Sequence, residues 1–135
     1  MSAEYFDGWY ADMARSPAKD EMVRRHLGLP PGMLSSSLLT WDGIADVVAA
    51  LRLAPGGVLL DLACGRGGYG LVIADRTRAR LVGVDFSAEA VRQARSLGPA
   101  ADFRTGDLVA TGLDAGSVDA VVCVDAAQFA EPPEA

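Results

Sequence analysis

Three acids and a cluster of glycines are the residues of this 135-residue chain whose types and spacing could do chemistry. Asp61 closes the apolar run "VLLD", Asp85 closes "LVGVD", and Asp107 stands in the turn "TGDL". Directly after Asp61 comes "LACGRGGYG". Gly65, Gly67 and Gly68 remove side chains there, so backbone can approach a ligand closely and turn sharply into a helix. A carboxylate at Asp85 can accept hydrogen bonds from both hydroxyls of a ribose. Such charge-assisted bonds contribute about 1.5–3 kcal/mol each. Asp107 can accept from an exocyclic amine such as that of adenine, while Phe86 and Leu108 offer apolar surface to a purine face. Together these residues describe an adenosine site. Taken singly, Asp61 and Asp107 are ordinary turn or capping acids, and Asp85-Phe86-Ser87 is a strand end followed by a helix cap. Their recurrence at successive strand ends carries the reading.

Adenosine sites belong to more than one class. "GRGGYG" reads literally as G-x-G-x-x-G, the dinucleotide fingerprint. Asp61 counts against it, because a carboxylate four positions before Gly65 repels a pyrophosphate and attracts a cation. Nearly sixty residues also precede the motif, whereas the fingerprint usually opens its domain. An NAD(P)-dependent oxidoreductase therefore ranks last of three readings, behind a non-catalytic nucleotide-binding module.

The elements that must position these acids follow from periodicity and punctuation. Helices are expected over 3–15, with Tyr5, Phe6, Trp9 and Met13 as its stripe, and over 18–27, with Gly28 as C-cap. A third follows Thr40 as N-cap and carries Ile44, Val47, Val48 and Leu51 on one face. The rhythm then changes to strand 58–62, helix 67–76, strand 81–85, a helix capped by Ser87, strand 101–104 and strand 119–124. This alternation argues for right-handed βαβ units and a parallel sheet. Open parallel sheets bind ligands beyond the carboxyl ends of their strands, where all three acids fall.

Composition bounds the partners. The formal net charge of −6 and the single basic run "RTRAR" at 76–80 argue against nucleic acid. No apolar run is long enough to span a membrane, and the N-terminus carries acids where a secretory signal carries basic residues. A soluble, cytoplasmic protein is expected. Cys64 and Cys123 make neither a disulfide framework nor a zinc set, and read as reduced thiols. No metal is expected. His26, the only histidine, reads as a surface or packing residue.

"VLLDLACGRGGYG", then "LVGVDFSAEAVRQAR", "ADFRTGDL" and "VDAVVCVDAAQF", resembles the four successive motifs of class I S-adenosylmethionine-dependent methyltransferases, most of all the bacterial small-molecule branch. The resemblance covers about 41–130, and the first forty residues resemble that family's variable helical lid. It implies an α/β fold: a Rossmann-like parallel sheet of strand order 3-2-1-4, with helices on both faces. It divides the chain into a lid over 1–40 and an S-adenosylmethionine-binding domain over 41–135 that lacks the C-terminal strands. It implies S-adenosylmethionine as cofactor and a small-molecule methyl acceptor.

The resemblance also implies roles. Asp61 and the backbone of Ala63, Cys64, Gly65 and Gly67 surround the methionyl part, with Asp61 facing its ammonium. Asp85 holds the ribose, with Phe86 beside the adenine. Asp107 and the Leu108 backbone read the adenine edge. Val124, Asp125 and Ala126 border the sulfonium region, and Tyr5 and Tyr10 close over the site from the lid. Ala63 replaces the family's usual first glycine and is expected to tighten the loop. No catalytic base is identified; His26 and Asp125 are the two candidates. The run "AVVCV" is apolar on both faces, as in an interior strand, and the chain ends where the next helix is expected. The expectation is therefore the cofactor-binding half of such an enzyme, with self-association or a partner chain at the open edge of the fourth strand.

Overall fold

The computed structural model describes residues 2–126. Three helices come first: α1 (Ala3–Ala14), α2 (Pro17–Leu27) and α3 (Trp41–Leu51). Then follow β1 (Val58–Leu62), α4 (Gly68–Thr77), β2 (Arg80–Asp85), α5 (Ala88–Leu97), β3 (Asp102–Thr105) and β4 (Ala120–Val122). The helix starts are set by side-chain caps: Ser2, Thr40 and Ser87 accept from the amides of Tyr5 (3.2 Å), Gly43 (3.0 Å) and Ala90 (3.2 Å). Gly28, at φ 69°, closes α2 in the left-handed conformation expected of a C-cap glycine.

The sheet runs β3-β2-β1-β4, with every pair parallel. Register places Leu59 beside Leu81, and Asp61 beside Gly83 and Val122, with Phe103 next to Gly83. Strand side chains alternate, so Leu59, Leu81, Phe103 and Val122 share a face. They form the core with Ile44 of α3, Ile73 of α4, and Val91 and Ala94 of α5. Asp61 and Asp85 continue the same face to the carboxyl end of the sheet.

Helices are expected on both faces. The described helices α3, α4 and α5 cover the Leu59 face, while Gly106, in the stretch between β3 and β4, lies against Val84 of the other face. The helix expected after β4 lies outside the described residues.

β4 is shorter than the 119–124 expected. Asp119 meets the start of β1 through its side chain as well as its backbone: Oδ2 accepts from Val58 N–H at 2.7 Å, and its own N–H donates to Val58 O at 2.8 Å. At the other end, Asp125 takes φ 55° and bends the chain away from the ladder. Among the described residues β4 pairs with β1 alone, and Val121 is half exposed. No helix among the described residues is long and apolar enough to cross a membrane.

The N-terminal helices are anchored to the sheet domain. Asp7 Oδ1 accepts from Ser87 Oγ (2.6 Å) and from the Glu89 amide (3.2 Å) at the start of α5. Gln93 Nε2 donates to Tyr10 O at 3.0 Å. The segment between α2 and α3 is pressed onto the start of α4: a Cβ on Gly68 would lie 1.9 Å from Leu34 O. Gly68→Ala must therefore push this strap off the glycine loop, with an expected cost of about 3 kcal/mol. Urea unfolding should show the lower midpoint, and an unchanged midpoint would contradict the packing.

Candidate functional site

A cavity of about 890 Å³ opens at the carboxyl ends of the strands. Its floor is Asp61, the 63–66 loop and Asp85; one wall is 106–109 and another 124–126. Tyr5, Phe6, Trp9 and Tyr10 of α1 overhang it, together with the strap residues Leu34 and Ser36 to Leu38.

Asp61 is 2% exposed and lines the cavity. Among the described residues no hydrogen bond is made to its carboxylate. Burial pushes its carboxyl up to about 7, and the neighbouring Asp85 carboxylate adds to the rise. Gly70 makes the room: a Cβ there would sit 2.4 Å from Asp61 Oδ2. A buried carboxylate with no partner, facing a cavity, is arranged to take a cation.

Asp85 has a second duty that sequence reasoning missed. Its Oδ2 accepts from the Gly65 amide and its Oδ1 from the Ser87 amide, both at 2.9 Å. One carboxylate thus holds the glycine loop at one side and the start of α5 at the other. Burial raises its pKa, and these two backbone donors, Ser87 first, oppose the rise. A carboxylate has about four lone-pair sites, so about two remain for a ligand.

The other expected residues are placed as follows. Ala63, Cys64 and Gly65 line the cavity, and so do Phe86, Leu108 and Val124. Asp107 stands at the exposed rim, accepting from the Val109 amide at 3.0 Å. Gly67 turns away from the cavity: at φ 85°, a Cβ there would lie 2.9 Å from the Phe103 ring and 3.2 Å from Ala94. Its absent side chain serves helix–sheet packing. Ala63 sits at φ 54°, a left-handed conformation in which glycine is unstrained, so the alanine carries local backbone strain. The Cys64 thiol is pushed up by burial and stays protonated, which makes it a packing group.

Tyr10 is buried, with its hydroxyl beside Gly65 and Ser36; Tyr5 is 56% exposed at the mouth. Asp125 lines the cavity, and its Oδ2 accepts from the Leu38 amide at 3.0 Å. That bond, with help from Ser37, holds its carboxyl below the usual range, which weakens it as a base. His26 is exposed on α2 and lies outside the cavity wall.

Arg66 was missed altogether. It carries a charge inside the glycine loop and is 1% exposed. NH1 and NH2 donate to the two carboxylate oxygens of Asp20 on α2, each at 2.9 Å, and NH2 also donates to Ser35 O at 2.9 Å. Tyr69 adds to this joint by donating to Leu39 O at 2.7 Å and meeting Ser35 Oγ at 2.8 Å. The cavity loop, α2 and the strap are therefore one polar unit.

Comparison with known proteins places this geometry in a family. A family model described as a methyltransferase domain matches residues 59–135. Among solved structures, the chain is similar to one from the complex between the Haloferax volcanii Trm112 methyltransferase activator and a methyltransferase (25% identity, TM-score 0.70, 95% of this chain and 50% of that one). It is similar to a Thiobacillus denitrificans S-adenosylmethionine-dependent methyltransferase in complex with S-adenosyl-L-homocysteine (29%, 0.55, 69% and 40%). It is also similar to geranyl diphosphate C-methyltransferase from Streptomyces coelicolor A3(2), solved with Mg²⁺, geranyl diphosphate and S-adenosyl-L-homocysteine (25%, 0.56, 61% and 33%). The chain spans half of the first of these and less of the other two.

Two stability predictions follow from the buried charges. Asp61 binds a proton more tightly folded than unfolded, so it destabilises the fold above its unfolded pKa of about 4, fully so above about 7. Asp61→Asn should therefore raise the melting temperature at pH 8, with the gain fading as pH falls toward 4. A gain independent of pH would contradict the assignment. Asp20→Asn leaves the Arg66 guanidinium buried without its counter-charge. It should lower stability by about 3 kcal/mol and speed hydrogen exchange in α2; wild-type exchange would contradict the joint.

Proposed function

The chain belongs to the methyltransferase domain family, and we propose that it binds S-adenosylmethionine in the strand-end cavity and directs its methyl group to a small-molecule acceptor. The observation that carries this reading is the unpartnered, buried Asp61 carboxylate facing the cavity, matched in charge to the cofactor's ammonium. The Ala63, Cys64 and Gly65 backbone surrounds the methionyl part, and Gly67 lets the loop close onto the sheet. Asp85 takes the ribose with its two remaining lone-pair sites, beside Phe86. Asp107 and the Leu108 backbone take the adenine edge, and Val124 borders the sulfonium region. The neighbours solved with S-adenosyl-L-homocysteine support the cofactor, and the one acting on geranyl diphosphate supports a small acceptor.

When bound, the cofactor supplies an electrophilic methyl group on a sulfonium. The protein's contribution is alignment, which supplies several kcal/mol, roughly 7 or more in the best-oriented cases. Positive charge leaves the sulfur in the transition state, so a carboxylate held against it would hinder transfer. Asp61 serves better at the ammonium, away from the reacting atoms. We read 1–40 as the lid and 41–135 as the cofactor domain, in keeping with α1 and the strap overhanging the cavity. We also read the outer edge of β4 as a site for a further strand, in keeping with the exposure of Val121. The two free cysteines support a cytoplasmic location.

Calorimetric titration should give one site for S-adenosyl-L-homocysteine and none for NADH. Asp61→Asn should weaken that binding by roughly 10- to 100-fold, the loss of one charge-assisted hydrogen bond. Because the same substitution stabilises the unliganded protein at pH 8, weaker binding cannot be ascribed to unfolding. Undiminished affinity, or preference for NADH, would overturn the reading.

A further inference from the structure

The charge of the cavity defines its acceptor, given the methyl-transfer reading on which this step rests. Four acids line it: Asp61, Asp85, Asp107 and Asp125. Arg66 is the only lysine or arginine in its lining, and its guanidinium is already held by both oxygens of Asp20 and by Ser35 O. An anionic acceptor would therefore meet like charges and, among the described residues, no lysine or arginine whose guanidinium or ammonium is not already held.

The second observation concerns the mouth. Tyr5, Trp9 and Phe86 line the cavity and remain 56%, 38% and 37% exposed, while the neighbouring Leu38 is 78% exposed. Phe6 stands edge-on to Trp9 at 5.9 Å and packs against Phe86 at 5.3 Å, so the rings form one aromatic wall. Ring faces attract cations and cover apolar bodies. Asp61, whose carboxylate has no hydrogen-bond partner among the described residues, points to the cofactor's ammonium, which leaves the ring faces and Asp125 for the acceptor.

We propose that the acidic, aromatic-walled cavity selects a methyl acceptor that carries a protonated amine on an apolar body, and rejects anionic acceptors. The cofactor's ammonium takes up Asp61 and its nucleoside takes up Asp85 and Asp107. The acceptor then meets the α1 aromatics, Leu38 and Asp125. The amine is the feature recognised; the atom that receives the methyl group is a separate feature of the acceptor.

Three probes with one indole body separate charge from shape: tryptamine, tryptophol and indole-3-propionate. Each is titrated by calorimetry into the protein with and without S-adenosyl-L-homocysteine. Tryptamine should bind roughly tenfold or more tighter than indole-3-propionate, with tryptophol between them. Asp125→Asn, which keeps an oxygen for the Leu38 amide, should narrow that gap. Equal or tighter binding of the carboxylate, or no binding of tryptamine, would overturn the proposal. The cavity charge precedes any ligand, so the order is expected in both arms. Failure of S-adenosyl-L-homocysteine to bind, with the order intact, would overturn the cofactor reading and the acceptor role with it, and leave only the cavity's preference for a cationic, apolar ligand.

Discussion

A carboxylate buried without a partner is the constraint on which the site depends. Asp61 occupies the last inward position of β1, nearly buried at the floor of the cavity, where a second acid, Asp85, lies close enough to raise its pKa. Charge in such a place is costly unless a cation arrives. Gly70 keeps the carboxylate in position by having no side chain to displace it. The fold thus carries local instability at the point where a positively charged ligand would relieve it. That is the expected pattern for a binding site positioned by a rigid sheet.

The rest of the cavity is organised around that point by two polar joints. Asp85 links the glycine loop to the start of α5 through its two carboxylate oxygens. Arg66 links the same loop to α2 and to the strap. Asp7 then ties α1 to the N-terminus of α5, where the aromatic wall begins. Floor, wall and roof are therefore mechanically connected through the loop that approaches the ligand. A change in the N-terminal helices would be felt at the loop without any direct contact to the ligand.

Much of this was legible in the sequence because its causes are local. Apolar runs ending in Asp61 and Asp85, glycines after the first, and Thr40 and Ser87 before α3 and α5 mark the strands, the loop and the caps within a few residues of themselves. The strand order came from a family resemblance, and the sheet has it. What was not legible depends on partners far away in the chain. Arg66 looks solvated until Asp20, 46 residues earlier, is seen to meet it. The three serines of the strap look like loop until Arg66, Tyr69 and the strap's own amides claim them. β4 starts late because the Asp119 side chain takes the Val58 amide, 61 residues away, and ends early ahead of the turn at Asp125. Gly67 looks like a ligand-facing glycine, yet the Phe103 ring is what requires it.

The most direct test of the account is proton exchange on binding. S-adenosyl-L-homocysteine is titrated near pH 7 in buffers of different ionisation enthalpy, with wild-type protein and Asp61→Asn. A carboxyl that burial has raised to about 7 is partly protonated there, and an arriving ammonium favours its ionised form. The account predicts release of a fraction of a proton from the wild type and none from the variant. Proton uptake, or no exchange by the wild type, would contradict it.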